Sequence, residues 1–373
     1  MRLYEQYNLT HPPMRTPIYL FEPVRLKRRD NTLSLMTFRN TNREAFPSEK
    51  LGRELAEEWP LYEEEAWWQG TPQSIPVERV ESIHAYAPVQ LNSSLLNFLS
   101  ERHIPLHTYN YFGGYTGSYW PKEPLPNGRI QQRQFEHYAD PAKRVELARE
   151  LLGGAFHNMY RAIRNAQQKK GGFSELLENW KSYTGMLEDA RSIDTLLGIE
   201  GTVRRIYYEF LDQQLTPEFQ MGERQYNPPN NPTNALISYL NSMLYAAIIS
   251  ELYRTQLNPL VGFLHEPGRH RFPLAWDLAE IFRPLMVEGL ILTMFNRKQL
   301  KGDDFETSLN GCLLKPESRV KVIRAFEHRM RTTIKHRDLG RSVSYRRLIR
   351  LEGYKLVKHL LGDQDYVSFR LWW

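Results

Sequence analysis

At 373 residues, with 41% hydrophobic and 12% aromatic side chains, the chain has ample material for packed cores. It also exceeds the size at which one core usually keeps growing, so two domains are expected. Charged residues at 25% are ordinary, and a net charge of +6 with a pI near 9.2 leans toward an anionic partner without requiring one.

A single cysteine, Cys312, excludes an intrachain disulfide and a thiolate zinc site. It reads as a core residue in a reducing compartment. No apolar run approaches the ~20 residues of a membrane span. The first residues, MRLYEQYNLTHPPMR, lack a signal-peptide core, so a cytoplasmic protein with no membrane partner is expected.

Residues 1–16 are polar, with Pro12 and Pro13, and read as an N-terminal arm. From Pro17 the texture is β. Strands are expected over 17–21, 25–29 and 32–38, the second and third joined by an Asp30-Asn31 turn. Residues 39–75 interrupt this pattern. They are rich in Glu, carry Trp59, Trp67 and Trp68, and include a possible short helix over 50–58, so they read as an excursion inserted into a hairpin. Strands resume over 75–77 and 80–86. Asn92 caps a short helix, and residues 104–109 form another strand.

His84, His103 and His107 lie on or beside strands without close ligand partners and read as packed or surface histidines. With no βαβ crossover in view, residues 17–109 read as a small mainly-β, sandwich-like domain. Residues 110–134, with Gly113-Gly114, Gly117, three prolines and Asn127-Gly128, read as a connector with room for one hairpin.

Beyond the connector, residues 135–373 read as a larger all-α domain, which makes the chain α+β. Asp140-Pro141 opens a helix to about 168, and helices are expected over 174–196, 200–215, 234–255, 273–297, 317–335 and 343–361. Residues 315–358 hold fourteen Lys/Arg against four acids, a basic surface or a solvated helical face.

Two stretches carry candidate chemistry. In HEPGRHRFPLAWDLAEIFRP, from His265, a histidine ends an apolar run, and Asp277 and Glu280 follow three apart on one helix face. In LLGIEGTVRRIYYEF, Glu200 stands between Gly198 and Gly201. Carboxylates with one imidazole and no thiolate suit Mg²⁺ or Mn²⁺, the hard ions of phosphoryl transfer. Each element also has a plain structural reading: acids near a helix start suit its dipole, a lone histidine is often structural, and Glu200 can cap a helix. No GxxxxGK[ST], GxGxxG, HExxH or GxSxG pattern occurs. Arg204 and Arg205 one turn beyond Glu200, and Arg269 and Arg271 after His265, are candidate phosphate contacts.

In order along the chain, PIYLFEP from Pro17, IPVERVESIH from Ile75, LNSSLLNFL from Leu91, LGIEG from Leu197, NPP through NALISY, GFLH ending at His265 and DLAEIFRP from Asp277 resemble one family. It is CRISPR-associated protein one, the integrase and endonuclease of spacer acquisition. YRRLIRLE from Tyr345 and the final Trp372-Trp373 resemble its type I-B-like branch.

The resemblance implies a metal held by Glu200, His265 and Glu280, with Asp277 either behind those ligands or an auxiliary ligand itself. The ion would activate a prespacer 3′-hydroxyl for attack on a phosphodiester of the repeat array. It also implies a homodimer formed through the β domain, double-stranded DNA as substrate, and a heterohexamer with the small ferredoxin-fold CRISPR-associated protein two. The excursion at 39–75 and the arm before Pro17 depart from the family pattern. A metal-dependent repair nuclease and a non-catalytic DNA-binding scaffold are the alternatives.

Overall fold

The structure is a computed structural model and describes residues 15–37, 72–110, 112–122, 128–226, 228–268, 271–308, 311–337 and 339–372. The described chain divides into two units, Met1–Pro124 and Leu125–Trp373. Most of the arm, most of the excursion with its three tryptophans and its possible helix, and Arg269 lie outside the described residues.

The first unit has two four-stranded sheets. In one, β2 (Val24–Arg29) and β3 (Thr32–Thr37) form the expected hairpin, with Asp30 at φ 52° in the turn. β4 (Gln73–Pro76) pairs antiparallel with β3, so residues 73–75 belong to the sheet rather than to the excursion. β6 (Val89–Gln90) lies on the other side of β2. The second sheet runs β1 (Thr16–Leu20), β5 (Val80–Ala85), β7 (Leu106–Tyr109) and β8 (Tyr115–Tyr119).

Here β5, the helix α1 (Ser93–Glu101) and β7 form a parallel crossover, which corrects the expectation that none exists. The strands are short and the crossover helix is only nine residues, so the βαβ pattern is weak in sequence. Leu26, Leu33 and Ile75 from one sheet, Ile83 and Leu106 from the other, and Leu95, Phe98 and Leu99 from α1 share one core. The stretch over 110–134 supplies one strand of a hairpin, Tyr115–Tyr119 paired with β7, and the helix that was expected only beyond it starts at Gly128.

The second sheet carries a row of rings: Tyr19, His84, Tyr86, Tyr109 and His107. Tyr19 stacks on His84 at 4.7 Å, and Tyr86 on Tyr109 at 4.0 Å. His84 bridges the Ser82 hydroxyl at 2.9 Å and the Tyr109 hydroxyl at 2.8 Å, and His107 Nδ1 meets Ser118 Oγ at 2.6 Å. Both histidines are packed, as the sequence reading has them, and burial pushes the His107 pKa down to about 3.

The second unit is mostly helical: α2 (Gly128–Ala139), α3 (Pro141–Lys170), α4 (Ser174–Asp189), α5 (Ile193–Asp212), α6 (Pro232–Leu252), α7 (Pro273–Arg283), α8 (Gly289–Asn296), α9 (Pro316–Arg331) and α10 (Tyr345–Leu361). It is not all-α. Short hairpins, β9 (Phe305–Ser308) with β10 (Gly311–Leu314) and β11 (Thr333–Lys335) with β12 (Ser342–Ser344), occupy stretches assigned to loops and helix ends. Cys312 is buried in β10.

α6 is apolar on every side. It is the one described helix long and apolar enough to cross a membrane, but 83% of its most apolar window is buried inside the protein, as befits a core helix. α3 and α6 both pack on α7. The expected single helix over 273–297 is broken by a π turn, Pro284–Glu288. Pro284 lacks an N–H for the α ladder, and the Gly289 N–H instead reaches back to the Pro284 carbonyl. Asn158 of α3 donates to the Ile281 carbonyl at 2.9 Å just before that turn, and accepts from the Leu371 N–H at 2.8 Å.

Candidate active site

Three stretches distant in sequence supply the site, all within the second unit. The first is α5. Ser192 caps it, accepting the Thr195 N–H, so the preceding helix stops at Asp189 and Glu200 falls in mid-helix rather than at a cap. One turn later Arg204 Nε donates to Glu200 Oε1 at 3.1 Å.

The second stretch is the loop over 261–265. Buried Gln134 donates to the Asn258 and Val261 carbonyls at 2.9 and 2.7 Å and accepts the Asn258 N–H at 2.9 Å. Arg144 donates to the Phe263 carbonyl at 2.8 Å and pairs with Glu266 at 2.7 Å. Gly262 is required here by crowding. A Cβ on it would lie 2.9 Å from Asp277 Oδ2 and 2.9 Å from Pro273.

The third stretch, α7, presents Asp277 and Glu280 one turn apart. Asp277 is fully buried, and its oxygens are already spoken for. Oδ2 accepts the Phe263 and Leu264 N–H groups at 2.5 and 3.1 Å, while Oδ1 accepts the His265 N–H at 2.9 Å and faces His265 Nδ1 at 2.8 Å. Of the two roles open to Asp277, its contacts match the one behind the ligands: it anchors the loop and orients the imidazole. With the Nδ1 proton directed to Asp277, the ring's basic lone pair resides on Nε2.

Glu280 is 2% exposed and lies between two guanidinium groups. Arg283 Nη1 donates to Oε1 at 2.8 Å, and Arg204 Nη2 donates to Oε2. Arg204 thus binds Glu200, on its own helix, together with Glu280, 76 residues further along the chain. A third carboxylate, Glu288, lies beyond them, 3.6 Å from Arg204 Nη1 and 3.8 Å from Arg283 Nε. Arg283 Nη2 also donates to the Tyr208 hydroxyl at 2.9 Å. Burial works against the Arg283 charge, but Tyr208, Glu288 and Glu200 hold its pKa above the usual arginine range.

Glu200 and Glu280 therefore converge on one guanidinium, and His265 is fixed on Asp277. Among the described residues no three Asp, Glu, His or Cys side chains are grouped to enclose an ion. Arg204, expected at phosphate, is corrected: it is buried and turned onto carboxylates. Arg205 is exposed and pairs with Glu209 at 2.7 Å, and Arg271 lies over the Phe272 ring at 5.5 Å. Part of the 315–358 charge is neutralised at home: Arg346 pairs with Glu327, Arg350 with Glu251 and Lys355 with Glu352, at 2.8, 2.5 and 2.6 Å.

Sequence reasoning missed Arg283, Glu288 and Tyr208. Arg283 follows Glu280 at helix spacing and was readable as a partner. Glu288 had no such signal, because eight residues is not a neighbour spacing on an α-helix.

A family profile described as CRISPR associated protein Cas1 matches residues 63–328. The chain is 44% identical to the CRISPR-associated endonuclease Cas1 3 of Thermodesulfovibrio yellowstonii over 305 residues, 82% of this chain and 93% of that one. Its fold is similar to that of a solved CAS1 protein from Thermotoga maritima, with a TM-score of 0.78 and 33% identity over 95% of this chain and all of the other. A casposase solved bound to its integration product shares the fold at the same TM-score, 0.78, with 18% identity over 95% of this chain and 93% of that one.

Proposed function

The chain belongs to the Cas1 family of CRISPR-associated endonucleases and integrases, and on that premise we propose that it joins prespacer 3′-hydroxyls to a phosphodiester of the CRISPR repeat array. The reaction makes one phosphodiester and breaks another. The 3′-oxygen forms a bond to phosphorus, the bond from phosphorus to the repeat's 3′-oxygen breaks, and that oxygen leaves with a proton. The observation that carries the reading is the convergence of Glu200 and Glu280, from two motifs far apart in sequence, on one cationic group.

The residues fit a hard divalent ion in kind. Glu200 and Glu280 offer carboxylate oxygens side by side, and His265 offers an imidazole whose tautomer Asp277 sets. Glu200, His265 and Glu280 would hold Mg²⁺ or Mn²⁺. Once bound, such an ion supplies charge neutralisation at the phosphodiester and a more acidic attacking hydroxyl. The chain's own groups do the rest. Asp277 holds the 261–265 backbone and the imidazole in one arrangement, and Arg283, tied to Glu280 and Tyr208, keeps Glu280 from rotating away.

Arg205, Arg271 and the 315–358 surface are proposed phosphate contacts that make binding salt-dependent, together with Arg269, which is not among the described residues. A homodimer and an assembly with the small CRISPR-associated protein two, in the cytoplasm, follow from the family reading.

The test is strand transfer of a short duplex into a supercoiled plasmid bearing the repeat, in Mn²⁺, with and without the small partner. A duplex with free 3′-hydroxyls gives joined product and a 3′-blocked duplex gives none. Cleavage that persists with the blocked duplex, without joining, would instead establish a nuclease that uses water. DNA binding without any turnover would establish a scaffold.

A further inference from the structure

The buried cluster holds one group that the site, as described so far, does not use. Glu288 has no exposed surface, and neither of its carboxylate oxygens accepts a hydrogen bond from a described residue. Two donors stand just out of reach and are likewise without hydrogen-bond partners: Arg204 Nη1 at 3.6 Å and Arg283 Nε at 3.8 Å. A buried carboxylate in this condition is costly and is retained only where surrounding structure imposes it. The π turn Pro284–Glu288 does so, and π turns recur at functional sites.

Arg204 meanwhile uses Nε and Nη2 on Glu200 and Glu280. A guanidinium and a divalent cation cannot both occupy the same carboxylate lone pairs. For an ion to bind Glu200 and Glu280, Arg204 must withdraw. Because it is buried, it cannot exchange those partners for bulk water. A carboxylate already lies on its far side, less than 1 Å beyond hydrogen-bond distance.

We propose that Glu288 is a positioning residue that receives the Arg204 guanidinium when a divalent ion takes Glu200 and Glu280. Arg204 is then an exchangeable internal cation with two sets of partners, and Glu288 sets how readily it yields the site. This rests on the metal reading of Glu200 and Glu280 given above.

The experiment measures Mn²⁺ binding to the purified full-length protein without DNA, by titration followed with electron paramagnetic resonance. Glu288→Gln removes the receiving charge and should weaken Mn²⁺ binding by about tenfold, the factor carried by one charge-assisted hydrogen bond. Arg204→Ala removes the competitor and should tighten binding. In the Arg204→Ala background, Glu288→Gln should have no further effect. A purely structural role for either residue predicts weaker binding throughout and no such cancellation.

Equal weakening by Glu288→Gln with and without Arg204, or unchanged binding in both single variants, would overturn the exchange. If Glu288→Gln does not fold, Glu288→Asp draws the carboxylate back from Arg204 and carries the same expectation. Glu200→Gln separates the two levels of inference. Mn²⁺ binding that survives it sinks the metal reading itself, whereas loss in Glu200→Gln with no tightening in Arg204→Ala sinks only the exchange.

Discussion

Two regions of this chain bury polar groups, and they do it in opposite ways. In the strand-rich unit, His84 and His107 lie among tyrosine rings, joined to the neutral hydroxyls of Ser82, Tyr109 and Ser118. Burial pushes the His107 pKa far down, so at that ring burial is met by neutrality. In the helical unit Glu200, Glu280 and Glu288 are arranged around Arg204 and Arg283. There burial is met by pairing acids with guanidinium groups. A neutral cluster is finished once it is satisfied. A paired one can exchange partners, and that capacity suits it to chemistry rather than to packing alone.

The comparison breaks most visibly at the paired cluster. Glu280→Gln or Glu200→Gln should take strand transfer in the plasmid assay to background while leaving the circular-dichroism spectrum intact. Asp277→Asn should cost about 10–100-fold in activity or Mn²⁺ affinity, the range for losing an outer partner of a ligating histidine, because the amide satisfies His265 and the three backbone N–H groups less well. If Asp277→Asn left Mn²⁺ affinity untouched, the orienting role would fall.

Gly262→Ala should lower stability by about 1–3 kcal/mol in thermal or urea unfolding, since the added methyl meets Asp277 and Pro273 at 2.9 Å.

The neutral cluster gives the smallest effect near pH 7. His107 has its folded pKa depressed to about 3, so the unfolded chain takes up a proton near pH 6.5 while the folded one does not. Its stability contribution is therefore complete above about pH 6.5 and is lost as pH falls toward 3, with a slope of at most about 1.4 kcal/mol per pH unit. Urea unfolding of His107→Phe between pH 7 and 4 should show a shallower acid decline than the parent.

Local chemistry was the most legible part of the sequence. Asn92 and the Asp140-Pro141 pair mark helix starts where the structure has them, because capping is a property of a few adjacent residues. Glu200, His265 and Glu280 were picked out by residue type and motif order. What was hidden depended on non-local registration. The parallel pairing of β5 with β7 joins strands too short to announce a crossover. The hairpin near Cys312 lies in a stretch that read as a loop, and the one near Val343 where two helices were expected to end and begin. Arg204 looked like a surface cation because two of its three carboxylate partners, Glu280 and Glu288, come from elements that only folding brings to its helix.

The π turn has one more consequence, which concerns length rather than chemistry. Eight residues of unbroken α-helix turn through about 800°, which would set Glu288 roughly 80° aside from Glu280. The wider turn at Pro284–Glu288 brings it back toward the same side. Seven α-helical residues would come within about 20° of that direction unaided. The helix therefore behaves as though it carried one spare residue. Removing Met286 should relax the wide turn to an ordinary one and keep the two glutamates aligned, whereas deleting Leu278 or Ala279 should swing Asp277 and Glu280 apart. Shortening the protein by one residue is best tolerated where it looks most irregular.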